Sequence, residues 1–207
     1  MKFRLLVLGL LCLPLAQGCS LFYPAPVKLA EEKAFYDPYP SALSDDYFHS
    51  PVGDLAGHYP SGWLQTNIEH IQPLENVAFV YTDSIRSWAL TLIEIPGSAS
   101  LRRRYDQDGL LAVAEESINI HRSKIEGFRL ERNPEVFTQY HRPFANYEIS
   151  RGPDHILHSR YVVFTTGVRF YELGMVQLRQ TAPAGPYLSN YRLLQSVIGS
   201  LEGVPSR

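Results

Sequence analysis

The chain has 207 residues, 45% of them hydrophobic and 12% aromatic, and a formal charge of -2. That is enough apolar material for one domain with a sizeable core plus a tether. The acidic balance lacks the clustered basic excess that nucleic-acid binding requires, so no nucleic-acid partner is expected.

Lys2 and Arg4 lead into an apolar run from Leu5 to Leu15, followed by Ala16-Gln17-Gly18-Cys19. Pro14 and Gln17 cut the run short of the roughly 20 residues a membrane span needs. A short basic start, an apolar segment and a small residue before the break are the parts of a secretory signal. With a cysteine directly after Gly18, residues 1–18 resemble a bacterial lipoprotein signal peptide. The family pattern prefers Leu and then a small residue ahead of the glycine, where this chain has Ala16 and Gln17. The resemblance implies that Cys19 is diacylated and becomes the new N-terminus, so lipidation at Cys19 is the one modification expected. It also implies a membrane-anchored protein on the extracytoplasmic side, in the outer leaflet of an inner membrane or the inner leaflet of an outer one. Ser20, in place of Asp, resembles the outer-membrane address. An ordinary cleaved secretory signal that ends near a cysteine is the alternative.

Removal of residues 1–18 leaves 189 residues and takes Lys2 and Arg4 away, moving the formal charge from -2 to -4. Cys12 leaves with the signal and Cys19 would carry a thioether, so no internal disulfide is expected and core packing must hold the fold. Two acyl chains already exceed marginal membrane binding.

Residues 19–57 are rich in Pro, Tyr, Asp and Ser, as in Tyr23-Pro24-Ala25-Pro26 and Asp37-Pro38-Tyr39-Pro40, and read as a semi-extended tether. A folded domain is expected over 58–203, with a tail at 204–207. Tyr59-Pro60-Ser61-Gly62-Trp63 is a turn entering a strand. Val77 to Tyr81 and Trp88 to Ile95 read as strands, the second alternating Trp88, Leu90, Leu92 and Glu94 against Ala89, Thr91, Ile93 and Ile95. Leu110 to Lys124 reads as a helix with a stripe of Leu110, Leu111, Ala114, Ile118 and Ile125, and Gly127 as its stop. The Arg102-Arg103-Arg104 cluster reads as a solvated helix start answered by Asp106 and Asp108. Phe128 to Arg132 and Val136 to His141 read as two strands broken by Asn133-Pro134. Phe144 to Arg151 follows. Ile156 to Thr165 and Val168 to Arg179 flank Thr166-Gly167 as a long central hairpin. From Pro186, a helix carries Tyr187, Tyr191, Leu194, Ile198 and Leu201 at spacings of four and three. This order predicts an α+β fold, an antiparallel sheet with covering helices.

The Tyr-Pro-Ser-Gly-Trp entry, the strand pair, a helix after Pro96-Gly97-Ser98, the hairpin with Arg169-Phe170-Tyr171-Glu172-Leu173 and the C-terminal helix together resemble the PsbP-like family, an α/β/α sandwich, over roughly His58 to Gly203. That family includes an extrinsic photosystem subunit, lipid-anchored cyanobacterial relatives and a Ran-binding nuclear-transport factor. The resemblance implies an accessory or assembly protein for a larger complex, and it supplies no catalytic residues.

The chemistry-bearing residues are sparse. Asp154-His155-Ile156-Leu157-His158 puts two histidines three apart, a spacing that diverges on a strand. Asp106-Gln107-Asp108-Gly109 lacks the ligand spacing of a calcium loop. No Gly-x-Ser-x-Gly elbow is present. Glu31-Glu32 and Glu115-Glu116 read as solvated pairs, and Trp63 and Trp88 as core aromatics. No catalytic residue, metal ligand or cofactor is therefore expected, and no enzyme. The expected function is a membrane-anchored, non-enzymatic accessory factor that binds a protein complex in the cell envelope. Its rival is a small-ligand or metal-binding domain, or a divergent hydrolase; that version requires a deep pocket in which residues such as His121, His141 or His155 converge.

Overall fold

The computed structural model describes residues 43–66, 76–152, 154–179 and 187–205, apart from the side chains of 187–189. Among the described residues, nine strands and three helices follow in the order β1 (Leu43–His49), β2 (Ala56–Pro60), β3 (Leu64–Gln65), β4 (Val77–Thr82), β5 (Trp88–Ile95), α1 (Ala99–Asp108), α2 (Leu110–Lys124), β6 (Arg129–Gln139), β7 (Arg142–Arg151), β8 (Leu157–Thr165), β9 (Phe170–Gln177) and α3 (Tyr187–Ser200). Strands β3 to β9 form one sheet in the order β3-β4-β5-β9-β8-β7-β6, antiparallel throughout, while β1 and β2 form a separate hairpin.

Alternation along β9, the middle of the sheet, defines two cores. Tyr171, Leu173 and Met175 face Leu194, Val197 and Ile198 of α3 and Leu201 just after it, together with Phe48 of β1 and Leu55 of the loop that follows it. Phe170 faces the other way, in a cluster with Leu101 of α1 and Leu110, Val113, Ala114 and Ile118 of α2. The product is an α/β/α sandwich, as the element order predicts. Each fully buried Val, Leu or Phe contributes about 1.5–3 kcal/mol relative to exposure, so these two interfaces hold the layers to the sheet through packing.

Several elements differ from the sequence expectation, each for a local reason. Residues 43–57, placed in the tether, fold onto the domain: Phe48 and Leu55 enter the core, and Ala56 and Glu202 exchange backbone hydrogen bonds of 3.3 and 2.8 Å. At the other end Val204, assigned to the tail, is buried. The two strands read between Phe128 and His141 are one edge strand, β6 (Arg129–Gln139). Its register shifts between Leu130 and Arg132 and again between Arg132 and Glu135, so Pro134 sits in a bulge, where its missing N–H costs no ladder bond. Helix α1 lacks an apolar stripe, with only Leu101 buried; its start is set by Ser98, whose side chain accepts from the Leu101 N–H at 3.1 Å. Gly109, at φ +63, turns the chain from α1 into α2. On α2, Leu110, Ala114 and Ile118 are buried as read, Leu111 points outward, and Ala112, Val113, Ser117 and His121 join the buried face.

Gly174 is the tightest position in the central strand. Its neighbours across the sheet are Thr91 and Tyr161, and a Cβ there would lie 2.7 Å from the Thr91 hydroxyl and 2.7 Å from the Tyr161 ring. Gly174→Ala is therefore expected to overpack the face beneath α2 and cost about 1–3 kcal/mol, read as a lowered denaturation midpoint at unchanged m-value. Wild-type stability in that variant would show that the Tyr161 ring moves aside freely.

Candidate functional site

Strand alternation turns Glu172 toward α2 while its neighbour Tyr171 faces α3. Ser117 and His121, four residues apart on α2, descend on Glu172 from one helix face. His121 Nε2 lies 2.8 Å from Glu172 Oε1, Ser117 Oγ donates to Oε2, and Tyr147 OH donates to the same oxygen at 2.6 Å. The His121 ring packs on Tyr161 at 4.5 Å between centroids, and Tyr161 stacks on Tyr147 at 5.2 Å. Glu172 is 1% exposed, Ser117 2% and His121 8%. Burial by itself would push the Glu172 carboxyl up; the His121 charge and hydrogen bond, with the Ser117 and Tyr147 hydroxyls, hold it below the ordinary carboxylate range. Tyr147 is driven well up by its burial and then by the neighbouring carboxylate, so it remains a donor.

Serine, histidine and glutamate in contact invite comparison with a hydrolytic triad, and the connectivity rejects it. Activation requires the base to take the proton of the nucleophile while the acid orients the base. Here the carboxylate lies between the other two: His121 Nε2 and Ser117 Oγ both address Glu172, on separate oxygens. The serine thus has the carboxylate as its partner, beneath a closed layer of helix and sheet. This arrangement solves a burial problem, since an ionised carboxylate in a core requires both paired charge and hydrogen bonds.

The opposite face carries a second such knot. Asp54, in the loop between β1 and β2, accepts from Ser50 Oγ at 2.7 Å and Tyr171 OH at 2.7 Å on one oxygen, and from Thr166 Oγ1 at 2.8 Å on the other. Partial burial works to raise the Asp54 carboxyl, but these three hydroxyls hold it below its usual value. Burial, followed by the bond to Asp54, raises the Tyr171 phenol to about 12.

The remaining sequence candidates are dispersed. His141 and His155 sit in turns with φ +61 and +53, before and after the ten-residue β7, so about 30 Å of strand separates them from each other. Neither joins His121. Among the described residues no group of three or more His, Cys, Asp or Glu is placed to hold a metal ion. Glu115 and Glu116 are not a purely solvated pair: Arg104 binds Glu116 at 2.6 Å and lies 3.9 Å from Glu115, rather than answering Asp106 or Asp108. Arg102 turns the other way, donating to Val168 O at 3.0 Å and lying over the Phe170 ring at 5.8 Å. There it joins Glu94, Ile95, Gly97, Val168, Arg169 and Phe170 around an open cleft of about 270 Å³. Cys19, Glu31 and Glu32 lie outside the described residues.

No protein-family model matches the sequence, and no curated protein matches it significantly. Among solved structures, the solution structure of cyanobacterial PsbP (CyanoP) from Synechocystis sp. PCC 6803 aligns with a TM-score of 0.52 at 17% identity, covering 80% of this chain and 94% of that one. A crystal structure from Bacteroides thetaiotaomicron VPI-5482 aligns with a TM-score of 0.32 at 16% identity, over 78% of this chain and 48% of that one. The likeness to CyanoP shows that this chain has the PsbP-like fold.

Two outcomes check the buried knot. His121→Ala strands a carboxylate in the core and should cost about 3–5 kcal/mol in denaturant unfolding; a loss under 1 kcal/mol would mean that Glu172 is solvated in solution. Because the folded Glu172 carboxyl is lowered, its contribution is present above the unfolded value near ~4.3 and is lost as pH falls through the folded value. The melting temperature should therefore drop as pH is taken below ~4, and Glu172→Gln should show a lower neutral-pH melting temperature with a shallower acid slope.

Proposed function

We propose that this chain is a membrane-anchored lipoprotein, tethered through Cys19, that acts as a non-enzymatic accessory or assembly factor for a protein complex on the extracytoplasmic side of a cell envelope. The observation that carries the non-enzymatic reading is the fate of Ser117, His121 and Glu172. These are the side chains best suited to chemistry that the fold brings together, and all three are consumed in one another's hydrogen bonds inside the core. The PsbP-like resemblance in the sequence supports an accessory role, and the segment ending in Gly18-Cys19 supports the anchor. His121 is taken up by Glu172, and His141 and His155 lie at opposite ends of β7, which weighs against the small-ligand rival, since it requires them to converge.

Anchor and role are tested separately. Cys19→Ser should abolish acyl labelling and release the protein from the washed membrane fraction; a variant that remains membrane-bound at wild-type size refutes the lipoprotein assignment. Affinity isolation of the wild-type protein from membranes solubilised in mild detergent should recover a defined complex in stoichiometric amount. Recovery of the bait alone, after cross-linking before solubilisation, refutes the accessory role.

A further inference from the structure

The end of the sandwich formed by the β8–β9 turn carries features that the buried knots leave unexplained. Val168 at the tip of that turn is 64% exposed, and Val52, in the adjoining β1–β2 loop, is 51% exposed. Both loops are held firmly. Thr166 N bonds Arg169 O at 3.1 Å, Thr165 Oγ1 donates to Arg169 O at 2.9 Å, and Thr166 Oγ1 donates to Asp54 at 2.8 Å, clamping one loop to the other. Val168 also borders the cleft of Arg102, Arg169 and Glu94.

The charges in that cleft are unequal. Arg169 is bonded to Glu94, which occupies the one carboxylate of the lining. Arg102 has no carboxylate among its contacts in the described residues; its bond goes to a backbone carbonyl, and its guanidinium lies across Phe170. A guanidinium carries five donors, so a single bond leaves most of its hydrogen-bonding capacity for another group. Gly97 keeps the approach open, since a Cβ there would stand 3.3 Å from Arg102 Nη2.

We propose that this end of the domain docks an acidic segment of a protein partner, with a carboxylate seated on Arg102 and a neighbouring apolar side chain against Val168 and Val52. The inference rests on the accessory-factor reading and names its contact surface. An arginine already immobilised by a ring and a carbonyl loses little freedom on binding, and rigid loops lower the ordering cost further. An anionic membrane surface fits less well: polybasic membrane sites use clusters of about 4–8 Lys or Arg, whereas this lining holds two arginines and one glutamate.

The test offers a fluorescein-labelled Leu-Glu-Glu-Leu peptide to the purified chain in neutral detergent and follows its anisotropy, with Leu-Gln-Gln-Leu as the control. Saturable binding of the glutamate peptide is expected, weakened at high salt. Arg102→Gln and Val168→Asp, both at exposed positions, should each weaken it about tenfold while each variant keeps the wild-type circular-dichroism spectrum and a cooperative unfolding transition. Absence of binding up to millimolar protein, equal binding of the glutamine peptide, or indifference to both substitutions overturns the proposal. Loss of peptide binding when a few per cent phosphatidylglycerol is doped into the micelles also overturns it, by assigning the cleft to lipid headgroups. The assay uses neither the native complex nor the anchor, so its failure removes this surface and leaves the accessory role to be judged by the membrane isolation.

Discussion

A carboxylate sealed between the sheet and α2 is the constraint around which this fold is arranged. Glu172 lies on β9, the strand with three neighbours to either side, and its charge is accommodated only if Ser117, His121 and Tyr147 all arrive together. That requirement fixes the axial position and rotation of α2 over the sheet more narrowly than apolar contact does, because leucine side chains tolerate sliding and hydrogen bonds do not. Gly174, two residues on, makes room for the Tyr161 ring that packs against His121.

Tyr171 does the corresponding work on the other face. Its hydroxyl reaches Asp54, which also gathers Ser50 and Thr166, so the β1–β2 loop is joined to the β8–β9 turn through one carboxylate. Two consecutive residues of one strand thereby register both outer layers against the same backbone. The described sandwich achieves through polar knots part of the specification that other small domains take from disulfides.

Strong periodicity was legible in the sequence. Trp88–Ile95 and Leu110–Lys124 occur as read, because an apolar run bounded by turns marks a strand covered on both faces and a helical stripe marks a packed helix. The central hairpin of β8 and β9 followed from Val, Phe and Tyr content around a Thr-Gly turn. Where burial is slight, the pattern is weak: α1 is Arg-Arg-Arg-Tyr-Asp-Gln-Asp over most of its length, and its charge run read as a solvated helix start without giving the helix its bounds. Asn133-Pro134 read as a break because a proline interrupts an interior strand; at an edge it is absorbed by a bulge. The knot at Glu172 was hidden for a different reason. Ser117 and His121 occupy the apolar stripe of α2, where a sequence reading expects hydrophobic residues, and their partner comes from a strand 51 to 55 positions away. A single acid within Phe-Tyr-Glu-Leu-Gly-Met was the available signal, since a buried strand tolerates a carboxylate only with partners.

The irregular course of β6 bears on how the protein meets other chains. A long, flat outer strand is a template on which a foreign polypeptide extends the ladder. Two bulges, a proline and the alternating charges of Arg129, Glu131, Arg132 and Glu135 spoil that template along its length. Recruitment by strand addition is closed on this flank, and so is the runaway self-stacking that crowding encourages.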